Sequence, residues 1–322
     1  MDATTIEVDS DTQSINSDYE SVVSDTTSTR SSIFEYVYEN GHTYHAYRAG
    51  QYLLPNDEKE QDRLDLQHHI FRLVLGGDIT ISKLKDPQRI LDVGTGTGIW
   101  AIDAGDLFPS AEVIGVDLSP IQPNWTPPNV KFEIDDVTLP WTYELNSFDF
   151  IHIRTLGGSI KDWVGFLVQV YKHLKPGGLI EVSEIRTHFH CDDGSLGKDS
   201  NCVKWEETFH EIAKGIGLEF DQMPKMSGWV KEAGFTDIQE VEKLIPIGTW
   251  AKDKRLKEIG MYYLVHLLIG MEHYSIALFT RNGWLAEEVQ VLLAKVRNEL
   301  LSNKFHTYTK AVFVTARKPD TR

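Results

Sequence analysis

Apolar residues along the chain follow two spacings. Short apolar runs, alternating or continuous, are typical of strands, and apolar residues three or four apart are typical of amphipathic helices. The runs predict strands at residues 90–93, 113–116, 130–134, 148–154, 179–185, 236–244 and 310–316. The helical spacing predicts helices at 56–75, from about 99, at 163–174, near 203–212, ending at 234, and at 284–301. This alternation predicts an α/β fold, in which helices cover both faces of a doubly wound, mostly parallel sheet.

A glycine-rich turn follows the first of these strands. Residues 92–98 have the sequence DVGTGTG, and the next helix begins near Ile99. Glycine lets the backbone turn sharply and approach a ligand closely, while the N–H groups of a helix N-terminus face that ligand. Asp117 ends the second strand, about 20 residues further on, where an acid typically accepts hydrogen bonds from ribose hydroxyls. The pattern predicts a nucleoside-cofactor site, although a tight turn without a ligand would also use such a loop.

The glycine spacing distinguishes between nucleoside cofactors. A dinucleotide-binding loop has glycine at its first, third and sixth positions, but the sixth residue counted from Gly94 is Ile99. The glycines here occupy every second position, at Gly94, Gly96 and Gly98. This spacing resembles that of the methyltransferases that use S-adenosyl-L-methionine (SAM).

Five segments together resemble the fungal LaeA-like branch of the class I methyltransferases. They are residues 44–47 (YHAY), 52–57 (YLLPND), 62–69 (DRLDLQHH), 90–100 (ILDVGTGTGIW) and 150–154 (FIHIR). The likeness extends from about residue 34 to the C-terminus. It implies a SAM-dependent enzyme of fungal secondary metabolism or a global regulator of it, because the family includes both.

The resemblance also implies a Rossmann-like sheet with strand order 3-2-1-4-5-7-6 and an antiparallel final strand. The cofactor would lie outside the carboxyl ends of the parallel strands. The residues expected to contact it are Asp92, Gly94, Thr95, Gly96, Gly98, Asp117, Asp135, Asp136 and Arg154. The two acids at 135 and 136 would reach the adenine amino group. Arg154 has a structural alternative, an ion pair with Asp135, Asp149 or Glu184.

In methyl transfer the protein mainly aligns the acceptor with the donor, because the sulfonium of the donor supplies the activation. A carboxylate acceptor needs no base, whereas a phenol, alcohol or amine benefits from a base with a pKa near neutrality. His152 and His188, near the ends of the fourth and fifth strands, are the candidate bases; the alternative for each is an ordinary polar histidine. Trp205 is the aromatic residue assigned to the acceptor pocket. No metal is expected, because Cys191 and Cys202 lack zinc-site spacing.

Composition limits the partners and the domain organisation. The 322 residues carry a net charge of −16, which argues against sequence-independent binding to nucleic acid. The most apolar stretch, 261–270, is too short to span a bilayer, and there is no apolar leader, so a cytoplasmic protein is expected. Residues 1–32 are acidic and rich in Ser and Thr, which predicts a disordered tail. Residues 33–322 are expected to form one catalytic domain with an acceptor-side insertion at 186–228.

Two functions fit these observations. The first is methylation of a small-molecule secondary metabolite, with oxygen the favoured acceptor atom. The second is regulation of metabolite gene expression within a protein complex, with the N-terminal tail as the docking segment and the nucleus as the location. A fold that binds the cofactor without catalysis is disfavoured by the intact glycines and Asp117.

Overall fold

The computed structural model describes residues 5–9, 36–39, 42–45 and 55–320. The strands in these residues are β1 Tyr36–Glu39, β2 His42–His45, β3 Arg89–Val93, β4 Glu112–Asp117, β5 Val130–Ile134, β6 Phe148–Arg154, β7 Leu174–Ile185, β8 Thr236–Pro246 and β9 Tyr308–Arg317. The helices are α1 Glu58–Leu75, α2 Ile99–Leu107, α3 Trp163–His173, α4 Asn201–Gly215, α5 Met223–Glu232, α6 Lys254–Thr280 and α7 Ala286–Leu301.

Strands β3 to β9 form one seven-stranded sheet in the order β5-β4-β3-β6-β7-β9-β8. Neighbours from β5 to β7 are parallel, whereas β9 pairs antiparallel with both β7 and β8. The predicted strand order and the antiparallel final strand are therefore confirmed. β1 and β2 form a separate antiparallel hairpin, which the sequence pattern did not predict.

Apolar side chains leave the sheet on both faces, so both faces need helices. Leu91 and Ile151 belong to a core that is covered by α3 and α5. Ile90 and Phe150, their neighbours along the strands, pack with α2 on the opposite face. On that same side, α1, α4, α6 and α7 enclose a larger core against Phe313 of β9. The result is the doubly wound arrangement that the alternation predicted.

The first long helix, α1, forms within the range predicted from the sequence, residues 56–75. The Asp57 side chain accepts a hydrogen bond from the Glu60 N–H, and Gly76 ends α1 in the left-handed conformation with φ of 75°. Ile70 and Phe71, on the buried face of α1, pack in the larger core. This face holds α1 against α6 and above the carboxyl end of β3.

Two elements differ from the prediction. The apolar stretch 261–270 belongs to α6, a helix of 27 residues that the pattern did not reveal, because its apolar side chains are not confined to one stripe. β7 begins at Leu174 rather than at residue 179, since Leu174 pairs with Phe148 ahead of an irregularity in the register. None of the helices in the described ranges has the length and apolar character that crossing a bilayer requires.

A short N-terminal segment, residues 5–9, packs on the body of the protein. Val8 forms an antiparallel bridge with Ala251, and the Asp9 N–H donates to the Trp250 carbonyl at 2.7 Å. Ile6 is buried in a small apolar cluster with Trp250 and Tyr308. The tail predicted to be disordered, residues 1–32, includes these five residues, and residues 1–4 and 10–32 lie outside the described part of the chain.

Candidate functional site

The turn between β3 and α2 has a conformation that requires glycine. Gly94, Gly96 and Gly98 have φ values of +70°, +56° and +81°. A Cβ atom on Gly98 would lie 2.3 Å from the Phe132 ring, and one on Gly94 would lie 2.4 Å from Leu156. A larger residue would therefore adopt a disfavoured positive φ, and at Gly94 and Gly98 its Cβ would also clash with a neighbouring side chain. The loop brings backbone to the carboxyl end of the sheet, as the sequence predicted.

Asp117 closes the neighbouring strand and faces this loop. Its Oδ2 accepts the N–H of Gly96 at 2.8 Å, and its Oδ1 accepts the N–H of Ser119 at 2.9 Å. Burial raises the pKa of this carboxyl above its ordinary value. A carboxylate offers about four lone-pair sites, so capacity remains for a hydroxyl donor. The position and the remaining capacity fit a ribose.

Asp92 supports the loop from below. One of its oxygens accepts the Thr95 hydroxyl at 2.6 Å, and the other contacts His152 Nδ1 at 2.7 Å. The His152 ring stacks on Trp100 with centroids 3.7 Å apart. His152 is buried, and it lines neither of the two cavities described below. The structure therefore contradicts the choice of His152 as a base, because packing beneath the loop separates it from any acceptor.

Arg154 lies at the carboxyl end of β6 and turns towards α1. Its Nη2 lies 3.2 Å from His68 Nδ1, and its guanidinium lies over the Phe71 ring at 5.0 Å. His68 Nε2 in turn contacts Asp103 of α2 at 3.0 Å. Burial lowers the pKa of Arg154 to about 10 and also lowers the pKa of His68. A neutral His68 can accept from Arg154 and donate to Asp103, which replaces the predicted alternative of an ion pair with Asp135, Asp149 or Glu184.

The two acids after β5 differ in exposure. Asp135 is exposed, and its N–H donates to the Asp117 carbonyl at 3.0 Å. Asp136 is buried, and its Oδ1 accepts the N–H and the hydroxyl of Thr138 at 2.9 and 2.6 Å. Both residues thus lie beside the end of β4, next to Asp117. The predicted cofactor residues are brought together at one edge of the sheet.

Two cavities meet at this edge and share Gln67 and Thr155. The first lies against the glycine loop, and its walls include Asp92, Gly94, Thr95, Gly96, Thr97 and Arg154. The second, of about 70 Å³, lies between the end of β7 and helices α4 and α6. Such a volume holds a few water molecules. Through these shared residues, the cavity at the glycine loop adjoins the second cavity.

The second cavity combines aromatic walls with a buried acid. Glu184, at the end of β7, accepts the Gly157 N–H through Oε2 at 3.0 Å. Burial raises the pKa of Glu184 to about 8. Trp205, which the sequence assigns to the acceptor pocket, lines this cavity, and its indole N–H donates to Ser275 at 2.8 Å. A carboxyl with this pKa can hold or accept a proton near neutral pH.

Helix α6 supplies polar groups that sequence reasoning missed. Tyr263, His266 and Tyr274 all face the second cavity. Burial and the Arg63 charge keep the pKa of His266 well below its ordinary value, so this imidazole is neutral. The sequence names Glu184 only as one possible ion-pair partner of Arg154. The signal that could have found it is a carboxylate at the carboxyl end of an apolar strand, where ligands bind in open α/β sheets.

His188 reaches the rim of the second cavity. Its Nδ1 pairs with Glu206 Oε1, and its Nε2 lies 3.8 Å from Asp221 Oδ2. The Glu206 hydrogen bond and charge raise the pKa of His188, while 43% of its side chain remains exposed. Of the two histidines predicted as bases, His188 is the one that lines a cavity.

The strand order, the glycine loop after β3 and the acid ending β4 define the class I methyltransferase fold. A protein-family model described as a methyltransferase domain matches residues 66–240. The chain belongs to this methyltransferase family, in its fungal LaeA-like branch. It is an α/β methyltransferase, and its cofactor is SAM.

Three curated relatives illustrate the branch. The chain is 44% identical to "Methyltransferase pytC" of Aspergillus terreus, with 91% of each chain covered. It is 39% identical to "Secondary metabolism regulator LAE1" of Cochliobolus heterostrophus, over 87% of this chain and 94% of the relative. It is 34% identical to "Protein-methionine methyltransferase laeA" of Emericella nidulans, over 91% of this chain and 79% of the relative. The chain is therefore similar over most of its length both to a relative named as a methyltransferase and to one named as a regulator.

Proposed function

We propose that the protein methylates an oxygen atom of a small-molecule secondary metabolite whose acceptor group enters the cavity between β7, α4 and α6. The observation that carries this proposal is the cavity itself, which adjoins the glycine loop through Gln67 and Thr155 and contains the buried Glu184 carboxyl. SAM supplies an activated methyl group, and the residues around the cavity position the acceptor.

In this proposal the cofactor is held by three sets of groups. Gly94, Gly96 and Gly98 let the loop backbone approach it, because any Cβ there would be strained. Asp117 accepts hydrogen bonds from the ribose hydroxyls with the lone pairs that Gly96 and Ser119 leave available. The acids 135 and 136 lie next to Asp117, on the side proposed for the adenine. Asp92 and Arg154 act mainly by holding the loop and α1 in place.

Glu184 favours an acceptor atom that loses a proton on methylation, and among such atoms we propose oxygen. An alcohol or phenol must lose its proton as the new bond forms, and a carboxyl with a pKa near 8 can accept that proton once it is ionised. Tyr263, Tyr274 and neutral His266 add hydrogen-bonding groups that would orient a polar acceptor. The aromatic walls, including Trp205, would pack against its apolar part.

Metabolite profiling of a gene-deletion strain tests the proposal. We expect one accumulating species that is lighter than the lost product by one methylene. The purified protein with SAM should then methylate that species, and NMR should place the new methyl on oxygen. Loss of many unrelated metabolites, with no methylation of any accumulating species by the purified protein, would contradict the proposal.

A Glu184→Gln variant tests the proposed base within the same assay. Wild-type turnover should rise with pH through about 8, as Glu184 becomes ionised, whereas the variant should be slow and should lose this rise. The matched control is Glu219→Gln, since Glu219 is exposed and pairs with Lys225. Unchanged turnover in Glu184→Gln would exclude Glu184 as the base.

A regulatory role is the second candidate, and the likeness to the regulator LAE1 favours it. Under this reading the same fold acts inside a nuclear protein complex, with residues near the N-terminus as the docking segment. Loss of many unrelated metabolites on deletion would support it, and so would co-purification of one stoichiometric partner that is lost without residues 1–32. Under the enzyme reading the protein acts in the cytoplasm on a single pathway.

A further inference from the structure

Three potential metal ligands converge at the mouth of the acceptor cavity. Glu206 and His210 are four residues apart on α4, so they lie on the same face of the helix. His188 reaches them from the segment that follows β7. One ligand atom from each residue lies within 4.8 Å of the other two. The His188 and His210 rings are 5.4 Å apart between centroids.

Two imidazoles and one carboxylate form a donor set that suits first-row transition metals. Ligand atoms around a tetrahedral zinc ion lie about 3.3 Å from one another, given zinc–nitrogen bonds of about 2.0–2.1 Å. The three side chains are thus close enough for small rotations to complete a site. Two ligands one helical turn apart, with a third from a neighbouring segment, give such a site a rigid base.

Neighbouring groups orient the ligands in the way that metal sites require. The Phe189 N–H donates to Glu206 Oε2 at 2.7 Å, which leaves Glu206 Oε1 directed at His188. His210 Nε2 lies 3.0 Å from the Thr187 carbonyl, which fixes the ring. Outer contacts of this kind set the tautomer and orientation of ligating residues. The Arg186 charge, which acts on His188, is neutralised by paired contacts to Asp221 at 2.9 and 2.6 Å.

We propose that His188, Glu206 and His210 bind a divalent transition-metal ion such as Zn²⁺ at the mouth of the acceptor cavity. With three protein ligands, the ion keeps an open coordination position. Because His188 also lines the cavity, that position is available to an oxygen of the bound acceptor. The role towards the acceptor rests on the proposed function, whereas metal binding does not. The expectation of no metal rests on the spacing around the two cysteines, whereas this cluster contains no cysteine.

Zinc titration of the full-length, chelator-treated protein tests the inference. We expect one Zn²⁺ ion per chain by calorimetry, with at least tenfold weaker binding in His188→Gln, Glu206→Gln and His210→Gln. The matched control is His190→Gln, because His190 lies in the same segment and its ring centroid is 6.2 Å from that of His188, outside the cluster. This control should bind Zn²⁺ as wild type does.

The outcomes separate the metal site from the proposed function. SAM binding in each variant shows that it is folded and that the cofactor site is intact. Absent stoichiometric zinc binding in a protein that binds SAM would overturn the metal site alone, leaving His188 and Glu206 as an ion pair. Binding that survives all three variants, or that falls equally in His190→Gln, would also overturn it. Zinc binding without any methyl transfer would retain the site and remove its proposed role.

Discussion

Glu184 shows how a single residue can link the stability of the protein to its chemistry. Its carboxyl is buried at the end of β7, and the Gly157 N–H is the donor to its Oε2. Desolvation disfavours the charged form, which raises the pKa to about 8 from an ordinary value of 4.5. The folded protein therefore retains a proton that the unfolded chain releases between these values. Such a group lowers the free energy of unfolding as pH rises. A residue with a purely structural role gains nothing from this loss.

Replacement of Glu184 by Gln should change stability in a pH-dependent way. Between pH 4.5 and about 8, wild type loses up to about 1.4 kcal/mol of unfolding free energy per pH unit through this group, because the native state binds more protons. Glu184→Gln lacks this loss, so its stability relative to wild type should increase from pH 5 to pH 8. Urea denaturation at the two pH values measures the difference. Exposed Glu219→Gln should show no such trend, and an equal difference for Glu184→Gln at both pH values would refute the raised pKa.

Among the helices, α1 is bonded both to the glycine loop and to α6. Asp65 accepts the Thr97 hydroxyl at 2.6 Å, which ties the helix to the glycine loop. On its other side, Arg63 donates to both oxygens of Glu60 at 2.8 and 2.6 Å, and Glu60 also contacts His273 of α6. Arg63 and Glu60 are each about 1% exposed, so neither charge has access to water.

Loss of Arg63 should therefore be costly. Arg63→Met leaves the Glu60 charge buried without its main partner, and we expect a loss of about 3–5 kcal/mol in unfolding free energy. Arg72→Met on the same helix is the control, because Arg72 is half exposed in its pair with Asp103 and should cost less than about 1 kcal/mol. Chemical denaturation measures both. Equal effects of the two substitutions would show that α1 does not depend on the buried pair.

Across the whole molecule, the chain joins its N-terminal residues to the segment before α6. The Lys252 N–H donates to the Glu7 carbonyl at 2.8 Å, in addition to the bond between Asp9 and Trp250. Ion pairs of Lys252 with Glu7 and of Lys257 with Asp9 accompany these backbone bonds. This junction lies beside the start of β9, next to Thr309, which lines the second cavity.

Hydrogen exchange should report this junction directly. In the full-length chain, exchange at the Lys252 amide should be at least about tenfold slower than in a chain lacking residues 1–9, because the deletion removes its acceptor. Amides in the centre of β7 should exchange at the same rate in both chains. Equal exchange at Lys252 would mean that residues 5–9 are not held there in solution.

The sequence predicted the fold better than the pocket, for a physical reason. The strands and α1 carry local signals, namely apolar runs, a capping Asp57 and a terminating Gly76, and the resemblance supplied the strand order. The glycine loop and Asp117 were also predictable, because the loop is contiguous and the acid follows it at a typical spacing.

The acceptor cavity has no such contiguous signal. It joins Glu184 to Tyr263 and His266, residues far apart in the chain, through the packing of α6. An apolar helix packed on several sides lacks the single stripe that a sequence pattern can detect. Likewise, the spacing placed His152 near a strand end, but only the packed structure shows its ring buried against Trp100.

Binding of SAM to full-length protein, compared with its Asp117→Asn variant by calorimetry, tests the central assignment most directly. Wild type should bind, and the variant should bind about ten- to a hundredfold more weakly, because it loses charge-assisted hydrogen bonds to the ribose. Asp106→Asn, an exposed change on α2, should bind as wild type does. A folded wild type with no affinity for SAM or S-adenosylhomocysteine, or an Asp117→Asn variant that binds as tightly as wild type, would contradict the assignment of the site.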